Sequence, residues 1–598
     1  MGAAATPSSE PGGEREARRA WWAVGLAVVL VAALALRLWG VKSGLPYVYD
    51  TDEDQHFVPR AIALFGHGLN PNYYANPPAF TYLLAIIYEL WFGGREALSH
   101  AFATNPTEVW VIARVTVGVL GTVAVWLLYI VGARLFDRRT GLCAAALMAV
   151  SFVAVAYAKL ALNDVPMLVP LELSLWGSAG VLRFGRRRDY VIAGAALGLA
   201  AATKYTGGIV CLPLAAACVV RARGEGGWRL QARPAACAVG CALLAFVIAD
   251  PYAVLDAGAF KAGILHQAAE SVAANGKLGL THGSGVLYYL WTITWGVGWV
   301  PAIAALGGGV GLWLAKRRGL LLLLSPAIVL YLMFMGIQGR YFGRWLMPVV
   351  PLICLLAAYG GMRAAALVAR GRRRLSVVAV MVAFAALCGQ GLIYAVHSGI
   401  VNSRADTRNL TRTWLVAHVP VSARIVIEPV VPDEWNLDVG HPSATLSGYR
   451  WTNYPALVPA REAHRRLELG APSTAVTVEN YERTLQPGLI GLYEREGYCW
   501  VVTGSTQSGR AYVDPGQVPG AIAYYRALAR SGRLVYVASP YARHSGGVAF
   551  NFDWSFDYYP LAYLRPGPLM AVYRLTGGRC APAGPLHPAL RHRAAAVS

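Results

Sequence analysis

Long apolar runs separated by short polar or basic stretches organise most of this chain. Each run is of the length, about 20 residues, that crosses a bilayer as a helix. The pattern predicts spans near 21–40, 108–133, 142–160, 165–182, 190–204, 206–220, 235–250, 285–315, 319–337, 345–362 and 376–397. The pair 190–204 and 206–220 is short, so their turn is expected within the membrane thickness. Ala33-Leu34-Ala35 resembles a signal-peptidase site, but the run is long for a signal peptide and more spans follow, which favours an uncleaved helix. From about residue 398 the period changes. ARIVIEP, YCWVVTGS, RLVYVAS and LMAVYRL read as short strands, β-branched and aromatic. TRNLTRTWLVAHV and GAIAYYRALARSG read as amphipathic helices. The predicted fold is a polytopic α-helical membrane protein of about eleven transmembrane helices with a C-terminal soluble α/β domain. Its parts are a disordered tail (1–20), a membrane domain (21–397, first outer loop 41–107) and the α/β domain (398–598).

Composition agrees with a membrane protein. The 598 residues are 56% hydrophobic and 14% charged, against about 25% charged in soluble domains. A formal charge of +21 would suit a nucleic-acid binder. The cations, however, cluster between apolar runs, in RLFDRR (134–139), RFGRRR (183–188), RARGEGGWRLQAR (221–233), KRR (316–318) and RAAALVARGRRR (363–374). That is the positive-inside pattern, and nucleic acid is excluded as a partner. It puts the N-terminus in the cytoplasm and, after eleven spans, the α/β domain outside. Seven of the nine cysteines lie in apolar runs as small buried hydrophobes. Cys499 and Cys580 lie in the α/β domain and can pair if it is extracytoplasmic; spacing alone does not decide.

The outer side gathers the remaining membrane-proximal charge: Asp52, Glu53, Lys159, Asp164, Lys204, Asp250, Arg340 and Arg344. Intramembrane ionisable groups are costly and mark sites. In YDTDEDQHF (49–57), Asp50, Asp52, Glu53 and Asp54 fall within five residues. An adjacent pair such as Asp52-Glu53 repels, which raises one pKa if buried and suits a general base. A solvated acidic loop is the plain alternative. A cation site is another, although the spacing lacks the calcium-loop pattern. Asn163 or Asp164, before Val165-Pro166, can cap a helix, face the same cavity, or do both. Lys204, Arg340 and Arg344 either snorkel to headgroups or hold an anionic, lipid-borne substrate; Arg forks suit phosphate. Asn76-Pro77-Pro78 predicts the start of an interfacial helix. His56, His266 and His282 are proton carriers or ligands without metal-site spacing. A transporter would show internal repeats, and none is evident. A mere anchor for the α/β domain needs far fewer spans.

Five ordered segments complete the picture: TDEDQHFVPRAIALFGHGLNPNYYANPPAFTYLL, AYAKLALNDVPMLVPLELSLW, GAALGLAAATKYTGGIVCLPLAAA, GVLYYLWTITWGVGWVPAIAALG and QGRYFGRWLMPVVPLICLLAAYG. In combination they resemble the GT-C membrane glycosyltransferases, most closely glycosyltransferase family 39, the dolichyl-phosphate-mannose–protein mannosyltransferase-like group, over residues 20–395. The resemblance implies inverting sugar transfer from a polyprenyl-phosphate sugar to a glycan, lipid or protein hydroxyl, at the outer face of a bacterial plasma membrane. It implies Asp52 as base with Glu53 beside it, Asp164 as the second-loop acid, and Lys204, Arg340 and Arg344 as donor-phosphate cations. Asp50 and Asp54 are not part of the pattern. No cofactor is expected, although relatives within the GT-C group use a divalent metal and the extra acids leave that open. The absence of repeats typical of eukaryotic protein mannosyltransferases weakens protein as acceptor. No Walker A segment occurs.

Overall fold

In a computed structural model the described residues are 12–224, 227–272, 278, 284–438, 448–454, 481–542, 547, 548, 550 and 561–581. All eleven predicted spans are helical. Lipid offers backbone groups no partner, so the chain satisfies them internally. Among the described residues eight helical stretches are long and apolar enough to cross a membrane. The other three are shorter or interrupted: Arg138–Val150 followed, after Ser151, by Phe152–Tyr157, then Leu168–Phe184 and Arg187–Thr203.

The bundle has a centre and a rim. The stretch Gly343–Ala369 is largely buried and lies at the centre with Pro106–Leu135, whereas Gly227–Ala249 is almost wholly unburied and turns its side chains to the surroundings. Small residues let helices approach closely, the usual device where lipid removes the hydrophobic driving force. A Cβ on Gly194 or Gly198 would overlap the carbonyls of Ala238 and Ala242 on the facing helix.

The first outer loop is structured. A π-turn, Glu53–Phe57, leads into the helix Val58–His67, and helices Ala79–Phe92 and Arg95–Thr104 follow. The helix predicted after Asn76-Pro77-Pro78 thus forms, beginning just past Pro78. It buries Phe80, Leu84 and Tyr88 and exposes Ile86, Leu90 and Trp91.

The C-terminal sheet contains β1 (Arg424–Ile427), β2 (Thr452–Asn453), β3 (Trp500–Gly504), β4 (Arg533–Ala538) and β5 (Met570–Arg574), in the order β2-β1-β3-β5-β4. β1 runs parallel to β2 and β3; β5 runs antiparallel to β3 and β4. Four of these strands match the predicted segments. β2 is two residues long, too short for periodicity to mark. The amphipathic helices form as Thr407–His418 and Pro519–Ser531. Cys499 and Cys580 are joined as a disulfide.

The helix Thr407–His418 grips the loop 41–107. Asn409 Oδ1 accepts a hydrogen bond from Tyr49, Asn409 Nδ2 donates to Gly44 O at 3.0 Å, and the Arg408 guanidinium lies 3.6 Å over the Tyr49 ring. Tyr49 stands three residues before Asp52, so this contact fixes the approach to the acidic stretch.

Candidate active site

The acidic stretch divides its carboxylates by direction. The π-turn sends Glu53 inward, where it is fully buried. Arg114, on Pro106–Leu135, forks onto it: Nε donates to Oε1 at 2.7 Å and Nη2 to Oε2 at 2.8 Å. The Ala161 N–H also donates to Glu53 Oε1 at 2.8 Å, and Arg114 Nη1 donates to the carbonyls of Val41 and Ser43. Glu53 is thus the point where the first outer loop, the second outer loop and the membrane bundle are tied. A bidentate charge-assisted pair of this kind is strong and directional. π-turns of this sort recur at functional sites.

Asp52 points the other way and bonds Arg344. His56, one turn on, lies 3.5 Å from Asp52 Oδ1 and stacks on Tyr73 with ring centres 4.9 Å apart. Burial by itself would raise the Asp52 carboxyl; Arg344, followed by His56 and Lys204, overrides it and holds the group well below the usual carboxylate range. The expected repulsion between Asp52 and Glu53 is therefore removed by separate cationic partners. The Arg344 guanidinium sits 5.1 Å from the Phe342 ring centre and 5.9 Å from that of Tyr157.

Asp164 is buried and accepts from Lys204 Nζ at 2.7 Å; Asn163 Oδ1 is 3.5 Å from the same ammonium. Asn163 Nδ2 donates to Thr203 O at 2.8 Å. Neither residue caps a helix. The next helix begins at Leu168, and its N-cap, Met167, makes no side-chain cap bond. Three turn residues after Asp164 separate it from the helix, so its carboxylate is free to face Lys204. The two ion pairs lie within electrostatic reach of each other: Lys204 feels Arg344 and Asp52, and Arg344 feels Asp164.

Arg340 is placed differently. It pairs at 3.0 Å with Glu270 on the helix Ala257–Val272, an acid outside this cluster. His266 lies on that helix too; His282 lies outside the described residues. Asp50 Oδ1 accepts the Glu53 N–H at 2.8 Å and caps the π-turn. Asp54 is half-buried; burial, with Glu434, Glu53, Asp433 and Asp50 around it, pushes its carboxyl up to about 8. Among the described residues no three His, Cys, Asp or Glu side chains form a group that could hold a metal ion.

One participant was not singled out from the sequence. Arg114 stands in an apolar run, VWVIARVTVGV, and an intramembrane arginine was signal enough. His56 is read from the sequence only as one of three histidines without metal-site spacing; that it lies against Asp52 comes from its place one turn on in the π-turn.

Residues 75–253 match the family model described as dolichyl-phosphate-mannose-protein mannosyltransferase. The matched segment includes Asp164 and Lys204; Asp52 lies before it and Arg344 after it. Among solved structures, the chain is similar to ArnT from Cupriavidus metallidurans bound to undecaprenyl phosphate, at 16% identity, covering 95% of this chain and 99% of that one, with a TM-score of 0.49. The apo ArnT structure matches at 15% identity, covering 95% and 100%, with a TM-score of 0.47. AglB from Archaeoglobus fulgidus, in complex with an inhibitory peptide and a dolichol-phosphate, matches at 14% identity, covering 88% and 74%, with a TM-score of 0.49. No curated protein matches the chain in sequence.

Proposed function

We propose that this integral membrane glycosyltransferase moves a sugar from a polyprenyl-phosphate donor to an acceptor hydroxyl, with inversion at C1 and Asp52 as general base. One observation carries the reading: the Asp52–Arg344 and Lys204–Asp164 pairs lie within electrostatic reach of each other. Two cations held beside two carboxylates form a site that an incoming phosphate can enter by exchange. The donor phosphate competes with Asp52 for Arg344 and with Asp164 for Lys204. Arg340 joins them only by releasing Glu270. The freed Asp52 carboxylate then accepts the acceptor's hydroxyl proton. The acceptor oxygen bonds C1 as the C1–O bond to phosphate breaks, and the phosphate departs with that electron pair. Lys204 and Arg344 stabilise the charge as it develops, the term that is usually largest. Asp164 orients Lys204, and Glu53, locked by Arg114, orients the turn that carries Asp52.

The family match over 75–253 supports a transferase over a transporter. The orientation belongs to the same proposal: N-terminus cytoplasmic, α/β domain extracytoplasmic, in a bacterial plasma membrane, with 21–397 as the catalytic domain. The Cys499–Cys580 disulfide supports an oxidising side for the α/β domain.

The test is release of free lipid phosphate by purified protein from a panel of polyprenyl-phosphate sugars. Asp52→Asn should lower the rate by about 10²–10⁴, the usual worth of a general base. A variant as fast as wild type refutes the assignment.

A further inference from the structure

Lys159 is the outer cation that the proposed chemistry leaves without a task. It stands five residues before Asp164, with 4% of its surface exposed. Its ammonium donates one hydrogen bond, to Ser398 Oγ at 3.2 Å; among the described residues it has no carboxylate partner. An ammonium has three protons to donate, so two donors and the charge itself are unanswered. An unpaired charge out of water is strongly unfavourable. Lys159 lines a cavity between the membrane domain and the C-terminal region, with Ser43, Asp50, Arg114, Asn402 and Arg408 also on its wall. The two arginines there are already matched. Arg114 grips Glu53, and Arg408 forks onto Asp406 at 2.8–2.9 Å. Asn402 continues the polar wall from Lys159, donating to Ser398 Oγ and facing Ser43 Oγ, each at 3.3 Å.

We propose that this cavity is an oxyanion site, in which Lys159 donates to a carboxylate or phosphate oxygen. The anion is an acidic group on the acceptor or a free phosphate. The first source rests on the transferase reading, because Asp50 and Glu53, which flank Asp52 in the chain, line the same cavity.

The site is tested first without any transfer. The unfolding midpoint of the full-length protein in detergent is followed as inorganic phosphate replaces chloride at constant ionic strength. Wild type should gain stability, and Lys159→Gln should lose at least half of that gain. Lys204→Gln, run alongside, measures phosphate held at the donor site. Without phosphate, Lys159→Gln should melt no lower than wild type, since it removes an uncompensated charge. An undiminished phosphate response overturns the proposal, and so does a Lys159→Gln midpoint well below wild type in phosphate-free buffer. Lys159→Arg should keep the response. A second arm separates the sources, using the donor consumed in the lipid-phosphate assay with octyl glucuronide or octyl glucoside as acceptor. A preference of roughly ten-fold in kcat/KM for the glucuronide, the scale of one charge-assisted hydrogen bond, that Lys159→Gln abolishes assigns the anion to the acceptor. An unaltered ratio beside a lost phosphate response assigns it to free phosphate. If no donor is consumed, the transferase reading fails, and the phosphate titration still decides the site.

Discussion

Asp52 keeps its charge because Arg344 lies against it, and that sets the pH behaviour of the proposed reaction. Burial opposes the ionised form and the guanidinium outweighs it, so the folded-state pKa is depressed. A depressed carboxylate is ionised, and contributes its stability, above the unfolded value of about 3.9; both are lost only as pH falls through the lower folded value. The acid limb of kcat/KM for the free enzyme should therefore lie below about pH 4. An acid limb between pH 5 and 7 that disappears in Asp52→Asn would contradict the pairing. Four carboxylates in YDTDEDQHF were visible in the sequence as a dense acidic stretch, and the Asp-Glu pair within it was legible by resemblance. Their division of labour was not. Asp50 became a local cap on the Glu53 N–H, whereas Glu53 became a buried tie and Asp54 a half-buried acid because their directions depend on distant partners, Arg114 for the one and Asp433 and Glu434 for the other.

At the scale of elements, the apolar runs located helical segments throughout, eight of them among the described residues long and apolar enough to cross a membrane, because a bilayer allows little else than a helix. They could not say which helices pack at the centre. That depends on small residues facing backbone. Gly308 lies against the Leu356 carbonyl, and Gly360 against that of Ala304, so the helices Trp299–Leu314 and Val350–Ala369 approach through reciprocal glycines. Gly198 does the same against Ala242. Gly198→Val should destabilise the protein by about 1–3 kcal/mol through overpacking, seen as a lower unfolding midpoint in detergent. Gly240, with nothing within 4 Å of a built Cβ, should tolerate Gly240→Val with little change. The turn after Asp164 is the counterpart in a connection: Pro166 predicted a helix start, but the helix waits until Leu168 and leaves the carboxylate to Lys204.

Across the whole molecule, the first outer loop is held between the bundle and the C-terminal region. Arg114 anchors it from below and the helix Thr407–His418 holds Tyr49 and Gly44 from above. The sheet that supports this helix has the disulfide at one side, joining positions 81 residues apart in sequence. Breaking a link that closes so long a loop should cost about 2–4 kcal/mol. Cys580→Ser, or reduction of wild type, should lower the unfolding midpoint of the C-terminal region, followed by its tryptophan fluorescence, while Cys143→Ser in the bundle should leave that transition unmoved. The two cysteines and the strands around them are legible in the sequence; their pairing needs the start of β3 and the segment after β5 to be neighbours, which strand order decides.

The sequence by itself determined that this is a many-helix membrane protein with an α/β C-terminal region and charge gathered on one side. Those properties follow from local hydropathy and from the cost of placing ions in lipid, which neighbouring residues suffice to express. Only the tertiary structure decided which ion meets which. Asp52 with Arg344, Asp164 with Lys204, Glu53 with Arg114 and Arg340 with Glu270 are pairings set by distance and direction in three dimensions. Lys159 belongs to that second group as well, since only the fold shows it buried at the wall of a cavity and, among the described residues, without an ion-pair partner.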